Sequence, residues 1–423
     1  MTVLHPIAAQ GCGCDRRDTA RRLHSIDDTL ALIAGWTGAV AETETLALPQ
    51  ALGRILAAPV RTASPMPPFD NSAMDGYAVA TSALTGPGPW VLPVVARVPA
   101  GQAAAPLSGA QASRIFTGAP IPPGADAVVM QEDVQRSADR IHLDRRPLPG
   151  QNIRPAGSEL AAGATVLPAG QRLGPREIAA SAAAGIGRVQ VRRRLRVALL
   201  VTGDEVRQAG EARGSAGIWD VNTPMLVASL SRPGLDLVAV DHGLDSRDGL
   251  IRQLAELAGK ADLLVTTGGL SVGEEDHVKP ALLALGAEIA VSGVAIKPGK
   301  PVSFGQLRGT AWLGLPGNPL SAFVTWHVFG EALLRCLTGD AGQGPQRRHV
   351  VAAQDIHRKP GRCELRPAQI TGYDGTGREI ATFASETHSA RVGSLSAASG
   401  LIFLPADAEY LPAGALIEFQ PFC

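Results

Sequence analysis

Apolar strand-like runs alternate with helix-like segments between residues 194 and 339, and this alternation constrains the fold most strongly. The run from Leu195 to Thr202 is almost continuously apolar, which is typical of a strand buried on both faces of a sheet. Strands that alternate with helices predict a doubly wound parallel sheet, so an α/β fold is expected here. The other predicted strands are Leu235–Val240, Asp262–Thr267 and Thr310–Leu315, and the predicted helices are Pro224–Leu230 with Thr223 as its cap, Arg247–Lys260, His277–Leu285 and one that starts with Asn318 as its cap.

The rest of the chain is punctuated by glycine and proline. Its 423 residues are too many for one ordinary core, so two to four domains are predicted. Short strand-like runs up to about residue 155 indicate a small β-rich domain, and similar runs beyond residue 342 indicate a closing β-barrel or sandwich. Two further segments have helical spacing, Ile26–Leu56 and Pro175–Ala184.

Composition excludes several classes of function. The 39 basic and 39 acidic residues balance, and only 4% of the residues are aromatic, so a nucleic-acid partner is not expected. No apolar run reaches the roughly 18 residues that span a bilayer, and the N-terminus lacks a signal-peptide core. Five cysteines do not indicate a disulfide framework, and Cys12 and Cys14 lie in a leader that we expect to be disordered. A cytoplasmic protein with no membrane partner is therefore predicted.

Unusual residues follow three of the predicted strands. Ligands of open α/β sheets bind beyond the carboxyl ends of the strands, and here those junctions read TGDE, TTGGLSVGEED and LPGNP. A fourth segment, IKPGKP, adds two lysines in a stiff turn. Each segment alone is also explained as an ordinary turn or helix start. No P-loop, dinucleotide-binding fingerprint or zinc-type histidine spacing occurs at these junctions.

The loop after the third strand combines two kinds of binding group. The amides of Gly268 and Gly269 would receive an anion such as phosphate. The three acids at 274–276 would favour a cation, although capping and the helix dipole alone also favour acids before a helix. Mg²⁺ typically binds one or two carboxylates together with substrate phosphates. We therefore predict that Glu205 and Asp276 hold Mg²⁺ beside a phosphate.

Two loops of the predicted β-rich domain are more polar than a turn requires. PPFDNSAMDGYAV contains the hairpin signal Asp75-Gly76 together with further acids and amides in a proline-stiffened segment. FTGAPIPPG is a second rigid loop, and it carries Thr117. Residue chemistry alone leaves the role of both loops open.

Seven motifs, in order along the chain, closely resemble the molybdopterin molybdenumtransferases, the family of bacterial MoeA and of the E domain of gephyrin. The resemblance runs from about Ile26 to the C-terminus, so only the leader lies outside it. The motifs are PPFDNSAMDGYAV, TGAPIPPGADAVVMQEDV, GQNIRPAGSEL, VTGDEV, TTGGLSVGEEDHVK, AIKPGKPVSFG and LPGNPLSAF.

The resemblance implies an α/β multidomain protein with a doubly wound, MogA-like domain, small β-rich domains and a C-terminal β-barrel. It implies a homodimer whose cleft lies between the doubly wound domain of one subunit and the β-rich domain of the other. The implied division is a leader at 1–22, a linker and dimerisation domain at 23–60 with 156–193, a β-rich domain at 61–155, a molybdopterin-binding domain at 194–342 and a barrel at 343–423.

The resemblance also implies a reaction and the residues that carry it. Molybdate is inserted into adenylated molybdopterin with Mg²⁺-dependent release of AMP, and the expected protein partners are the molybdopterin adenylyltransferase and recipient molybdoenzymes. The implied catalytic residues are Asp75, Thr117, Glu205 and Asp276, with Glu205 and Asp276 as the metal ligands; the implied substrate-binding residues are Asp245, Gly268, Gly269, Ser271 and Gly273; and the implied molybdate-binding residues are Lys297, Lys300, Pro316, Pro319, Ser321, Arg366 and Ser389.

The chain departs from the family pattern at several positions. Ser158 and Glu159 stand where the family often has Glu-Asp, and Gly293 stands where a basic residue is common before the lysine turn. The match at Arg366 needs a shift of one residue, and His277 replaces a common tyrosine. Of these departures, the one at Gly293 weakens part of the implied anion pocket.

Two other functions compete with the molybdenum transferase. The molybdopterin adenylyltransferase resembles residues 194–339 and also carries TTGG, but it usually continues with Thr-Gly and lacks the extra β domains. A scaffold that uses the same fold without catalysis is the other alternative. The presence of Asp75, Glu205, Asp276 and both lysines argues against a purely structural role.

Overall fold

The computed structural model describes residues 23–203, 205–212, 215–244, 246–270, 277–342, 344, 346–385, 392–393 and 395–422. The predicted leader with Cys12 and Cys14 lies outside these ranges. None of the described helices combines the length and the apolar composition needed to cross a membrane.

A six-stranded sheet with helices on both faces forms the predicted α/β region. The sheet is mixed, because two antiparallel strands that the sequence did not predict extend the parallel ones at one edge. The hairpin at that edge turns through Arg308 and Gly309, both with positive φ, as tight two-residue hairpins require. In spatial order the strands are Leu235–His242, Leu195–Val201, Leu263–Thr267 and Thr310–Leu315, which are parallel, and then Ser303–Leu307 and Glu288–Ser292.

Side chains of the Leu195–Val201 strand alternate between two cores. Val197 and Leu199 belong to one buried cluster, whereas Ala198 and Leu200 belong to a second cluster on the opposite face. Burial on both faces explains the nearly continuous apolar run and confirms the doubly wound fold. The helices that cover the two faces are Asn222–Leu230, Arg247–Lys260, Val278–Ala284 and Pro319–Thr325, the last continuing through a π-helical turn at Trp326–Gly330 into Glu331–Thr338.

The predicted β-rich domain contains a second six-stranded sheet. Its buried cluster includes Tyr77, Leu92 and Ile141, which come from three different strands. In spatial order the strands are Ala127–Met130, Gly76–Val79, Ala112–Ile115, Trp90–Val98, Arg140–Leu143 and Gln135–Ser137.

The predicted helix Ile26–Leu56 is wrong beyond Trp36. The helix Ile26–Trp36 ends where the Thr37 N–H bonds to the Ile33 carbonyl, and the chain then enters the strand Thr43–Ala47. That strand pairs with Arg188–Arg192, a partner too distant in sequence for local spacing to reveal. The helix Pro175–Ala183 matches its prediction closely.

Several short strand pairs connect distant segments. The pairing of segments near residues 43–61 with segments near 165–192 supports our proposal that 23–60 and 156–193 form one domain. The pairs besides the one just described are Val60–Arg61 with Thr165–Leu167, Asn71–Ser72 with Ile153–Arg154, Val206–Arg207 with Ile218–Trp219, and Ile356–His357 with Tyr410–Leu411; single 3₁₀ turns lie at Leu48–Gln50, Thr81–Ala83, Gln131–Asp133 and Leu395–Ala397.

Five strands near the C-terminus close into a barrel, which confirms the last element of the predicted fold class. A sixth strand, Ile296–Lys297, comes from the α/β region and pairs in parallel with the barrel. It joins the two regions beside the lysine turn. Around the barrel the strands are Cys363–Tyr373, Glu379–Phe383, Arg348–Ala352, Leu416–Pro421 and Gly400–Leu404.

Candidate active site at the carboxyl edge of the α/β sheet

A cavity of about 930 Å³ opens beyond the carboxyl ends of the parallel strands. This is where ligands of open α/β sheets bind. Of the residues predicted from the sequence, those that line it are Glu205, Gly268, Gly269, Pro316 and Pro319.

The turn at Gly268 and Gly269 can be built only from glycine. Gly268 has a φ of +88°, and a Cβ there would lie 2.6 Å from Thr202 Oγ1 and 2.7 Å from its carbonyl oxygen. Gly269 has a φ of +62°, and a Cβ there would lie 2.8 Å from Val278 Cγ2. Contacts this short leave no room for a side chain, so the turn stays open toward the cavity.

The two glycine amides differ in their availability. The Gly268 N–H donates to the Leu315 carbonyl at 3.1 Å and is therefore committed to the backbone. Among the described residues, the Gly269 N–H has no such acceptor. The prediction that both amides receive an anion therefore reduces to Gly269 in this conformation.

Asn222 ties the strand-end loops together, and the sequence did not single it out. Its Nδ2 donates to Thr267 Oγ1 at 3.0 Å and to the Gly317 carbonyl at 2.7 Å. The Thr267 hydroxyl in turn donates to the Pro316 carbonyl at 3.1 Å. The buried amide thereby fixes the LPGNP turn against the end of the third strand.

The helix that carries Asn222 begins differently from the prediction. It starts at Asn222 itself, and the Thr223 N–H donates to Asp220 Oδ1 at 2.9 Å. Thr223 is therefore not the cap. An aspartate three residues before that N–H is a recognisable capping pattern, and it was the signal that could have placed Asp220 and Asn222 at the cavity wall.

Glu205 lies exposed at the wall of the cavity. A Cβ on Gly203, which has a φ of +132°, would lie 2.9 Å from Glu205 Oε2. Glu205 forms no ion pair with another described residue, so its carboxylate is available to a hard cation that takes one or two carboxylates. No group of three or more His, Cys, Asp or Glu side chains suited to a metal occurs in the described part of the chain. The other predicted ligand, Asp276, lies outside it.

The lysine turn, IKPGKP at residues 296–301, reaches the cavity through Pro301, whereas Lys297 and Lys300 do not line it. Gly299 has a φ of +108°, and a Cβ there would lie 2.4 Å from Thr325 Cγ2, which fixes the turn against a helix. The Lys300 carbonyl accepts from the Val294 N–H at 2.9 Å, and the following Pro301 lines the cavity.

Two of the predicted molybdate residues are paired with the barrel carboxylate Glu364. Lys297 Nζ lies 3.5 Å from Glu364 Oε1, and Arg366 Nε donates to the same oxygen at 3.0 Å. Arg366 is buried and also donates to the Ser385 carbonyl at 2.7 Å. Ser321 is buried in the first turn of the helix that begins at Pro319.

Asp75 and Thr117 contact each other from two loops beside the sheet of the β-rich domain. Asp75 Oδ1 accepts from the backbone N–H and from the hydroxyl of Thr117, both at 2.8 Å. These two bonds, the backbone one first, lower the pKa of Asp75, and the nearby Arg114 adds to the effect. Neither residue lines the cavity in this chain.

Five predicted site residues lie outside the described part of the chain: Asp245, Ser271, Gly273, Asp276 and Ser389.

Comparison with known proteins identifies the architecture. Three family models match in order along the chain: the MoeA N-terminal region (domains I and II) at residues 24–185, a probable molybdopterin binding domain at 198–335, and the MoeA C-terminal region (domain IV) at 349–422. The cavity at the strand ends is lined by residues 201–319 and so falls within the second match.

Curated relatives and solved structures agree with these matches. The chain is 35% identical to molybdopterin molybdenumtransferase 2 of Mycobacterium tuberculosis, over 88% of this chain and 94% of the relative. It is 37% identical to the molybdopterin molybdenumtransferase of Nostoc, over 75% and 74%. The crystal structure of the molybdopterin biosynthesis MoeA protein from Pyrococcus horikoshii OT3 superposes with a TM-score of 0.81 at 27% identity, covering 95% of this chain and 100% of that one. The chain therefore belongs to the molybdopterin molybdenumtransferase family.

Proposed function

We propose that this protein inserts molybdate into adenylated molybdopterin and releases AMP, which completes molybdenum cofactor. The observation that carries the proposal is the cavity at the strand ends, which lies within the region matched to a molybdopterin-binding domain. Its volume of about 930 Å³ suits a ligand in which a pterin is joined to a nucleotide.

The glycine turn would receive the phosphates of the substrate. Gly268 and Gly269 leave no side chain between the backbone and the cavity, and the Gly269 N–H is a donor not used by another described residue. Backbone N–H groups at such turns are common phosphate ligands. Ser271, Gly273 and Asp245 are proposed to complete this substrate site.

Glu205 and Asp276 are the proposed ligands of Mg²⁺. The Glu205 carboxylate is exposed and forms no ion pair within the described part of the chain, which fits the preference of Mg²⁺ for a small number of carboxylate oxygens. When bound, Mg²⁺ would offset the charge of the phosphates at the bond that is cleaved. The lysine turn, with Ser321, Arg366 and Ser389, would hold molybdate, because a dianion is bound best by charge-assisted hydrogen bonds.

Asp75 and Thr117 are proposed to act on the cavity of the partner subunit in a homodimer. The support is that this polar pair is held ready by two hydrogen bonds but lies apart from the cavity of its own chain. Mixing Asp75→Ala subunits with Glu205→Gln subunits tests this arrangement, because one cleft of each mixed dimer would carry both native residues. Failure of the mixture to recover activity above that of either variant would contradict a shared cleft.

The setting that we propose is the cytoplasm, with the molybdopterin adenylyltransferase as supplier of the substrate and a molybdoenzyme as recipient of the product. The decisive assay incubates purified protein with adenylated molybdopterin, molybdate and Mg²⁺, and scores both AMP and active cofactor. Formation of both products supports the proposal. Adenylation of molybdopterin from ATP without molybdate insertion would instead identify an adenylyltransferase, and the absence of both reactions would point to a scaffold.

A further inference from the structure

Glu364 is a buried carboxylate at the junction between the α/β region and the barrel. Only 1% of the residue is exposed. It lies beside Lys297 because the strands Ile296–Lys297 and Cys363–Tyr373 pair in parallel, with Lys297 opposite Glu364 and Ile296 opposite Cys363. The pairing of the two strands therefore places the charges of Lys297 and Glu364 next to each other.

Lys297, Arg358 and Arg366 all contact this carboxylate. Oε1 accepts from Arg366 Nε at 3.0 Å and lies 3.5 Å from Lys297 Nζ, while Oε2 accepts from Arg358 Nε at 3.3 Å. A buried carboxylate is tolerated only when partners of this kind replace its hydration. The cluster of these four side chains keeps an excess of positive charge.

The three cations are not equivalent. Arg358 has a side chain that is only 3% exposed, and it donates to the carbonyls of Pro405 and Ala408, so it is committed to the barrel. The side chain of Lys297 is 50% exposed, so its ammonium contacts Glu364 on one side and solvent on another. Lys297 is therefore the member of the cluster that an incoming anion meets.

Glu364 has two opposing effects on that anion. Its charge reduces the positive potential of the cluster, which would weaken anion binding. Its contacts hold a long, flexible ammonium and a guanidinium in fixed places, so less side-chain freedom is lost when an anion binds. The direction in which the KM for molybdate changes when the Glu364 charge is removed decides which of the two effects is larger.

We propose that Glu364 is a positioning residue for molybdate, acting through Lys297 and Arg366; this inference rests on the proposed function. The carboxylate does not touch molybdate. It fixes the position of the Lys297 ammonium in the lysine turn. It also anchors Arg366, whose guanidinium donates to the carbonyls of Ala384 and Ser385. Removing the Glu364 charge therefore weakens molybdate binding, although it makes the pocket more positive.

The test separates molybdate affinity from the rest of turnover. In Glu364→Gln, the KM for molybdate is expected to rise about tenfold, as for the loss of one charge-assisted hydrogen bond, while the KM for adenylated molybdopterin changes little. In a Lys297→Met background the same substitution should change the KM for molybdate less, because one of the two side chains through which it acts is gone. A lowered or unchanged KM for molybdate, or an equal effect in both backgrounds, would overturn the proposal.

The matched control is Glu418→Gln, which removes the same charge from another barrel glutamate. Glu418 pairs with Arg347 at 3.5 Å and makes no ion pair with the lysine turn in the described part of the chain. Its KM for molybdate is expected to stay at the wild-type value, and a rise equal to that of Glu364→Gln would count against the proposal.

A second variant and a binding measurement test the same role of Glu364 if Glu364→Gln fails to fold. If Glu364→Gln does not fold, Glu364→Asp keeps the charge but shortens its reach, and it must still raise the KM for molybdate; an unchanged value overturns the proposal. Tungstate binding to the folded variants, measured by calorimetry, should weaken in parallel with molybdate KM. Wild-type protein that releases no AMP would refute the proposed function, whereas active wild type with an unaltered Glu364→Gln would refute only this inference.

Discussion

Asp262 provides the sharpest stability prediction, because it accepts hydrogen bonds from two arginines at the end of the sheet opposite the cavity. Its oxygens lie 2.6 and 3.0 Å from the Arg193 guanidinium, and Arg196 donates from both its backbone and its side chain at 2.8 Å. Arg193 also pairs with Glu42, which precedes the strand Thr43–Ala47. The cluster therefore connects the linker region to the sheet.

The expected cost of Asp262→Asn follows from this partial burial. Removing one partner of a fully buried ion pair costs about 3–5 kcal/mol, whereas exposed pairs contribute about 0.2–1 kcal/mol. The Asp262 side chain is only 13% exposed, but those of its partners are 24% and 46% exposed, so solvent screening reduces the cost. We expect a loss of about 2–3 kcal/mol at pH 7, which lowers the melting temperature of this region by about 4–12 °C.

The sign of the pH dependence provides a second test. Burial alone would raise the pKa of Asp262, but the hydrogen bonds from Arg193 and Arg196 outweigh it and hold the pKa well below its usual range. The stabilisation is therefore fully present above the unfolded pKa of about 3.9 and declines as the pH falls below that value toward the folded pKa. The difference between wild type and Asp262→Asn should accordingly shrink between pH 5 and pH 3.

Differential scanning calorimetry of the two proteins across this pH range measures the effect. Glu256→Gln is the matched control, because it breaks an exposed pair with Lys260 on a helix of the same region and should leave the melting temperature nearly unchanged. A loss below about 1 kcal/mol for Asp262→Asn, the range of exposed pairs, would refute the reasoning. So would a loss that stays constant down to pH 3.

Three other predictions concern the site and the facing domain. Gly268→Ala should lower the free energy of unfolding by about 1–3 kcal/mol through backbone strain. The added methyl group should also hinder phosphate binding at the turn and so raise the KM for adenylated molybdopterin. The control Gly309→Ala, at a similar φ but in open space, should leave that KM unchanged. Asn222→Ala should cost about 1–3 kcal/mol in denaturation experiments and raise the same KM, because two loops lose their shared donor. Asp75→Asn should lower kcat about tenfold or more while leaving the melting temperature unchanged, and a parallel loss of both would assign Asp75 a structural role.

The local sequence pattern correctly predicted helices with one apolar face and strands that are buried on both faces of the sheet. The helix Arg247–Lys260 has the predicted bounds, because Leu250, Leu254 and Leu257 form one apolar face and the Ser246 side chain caps the first turn. The strand Leu195–Val201 was predictable because burial on both faces demands an unbroken apolar run.

Pairing between distant segments explains the errors. The strand Thr43–Ala47 has enough helical spacing around it to extend a predicted helix, and only its partner Arg188–Arg192 makes it a strand. The two antiparallel strands at the sheet edge were missed for the same reason. Glu288–Ser292 is placed by its pairing with Ser303–Leu307, and the turn at Arg308 and Gly309 that joins Ser303–Leu307 to Thr310–Leu315 has no strong sequence signal.

Contacts between distant segments also limited what the sequence could predict about single residues of the site. The motifs directed attention to the strand ends, where the structure places Glu205 and the glycine turn at one cavity. The motifs could not reveal that the Gly268 amide is already bonded to Leu315, because that bond crosses between neighbouring strands. Glu364 was likewise missed, since 67 residues separate it from the Lys297 that it contacts.

The positions of Asn222 and Glu364 together indicate how the cavity keeps its shape. Asn222 fixes the LPGNP turn to the third strand from within the sheet, and Glu364 fixes the lysine turn to the barrel from outside it. Each contact depends on a side chain that is not among the groups proposed to bind phosphate, Mg²⁺ or molybdate. The LPGNP turn and the lysine turn are thus held by separate contacts, so Glu364→Gln should affect molybdate and spare the glycine turn that is proposed to bind phosphate. Asn222→Ala should raise the KM for adenylated molybdopterin and Glu364→Gln the KM for molybdate, and the double variant should show each of these increases at its single-variant size.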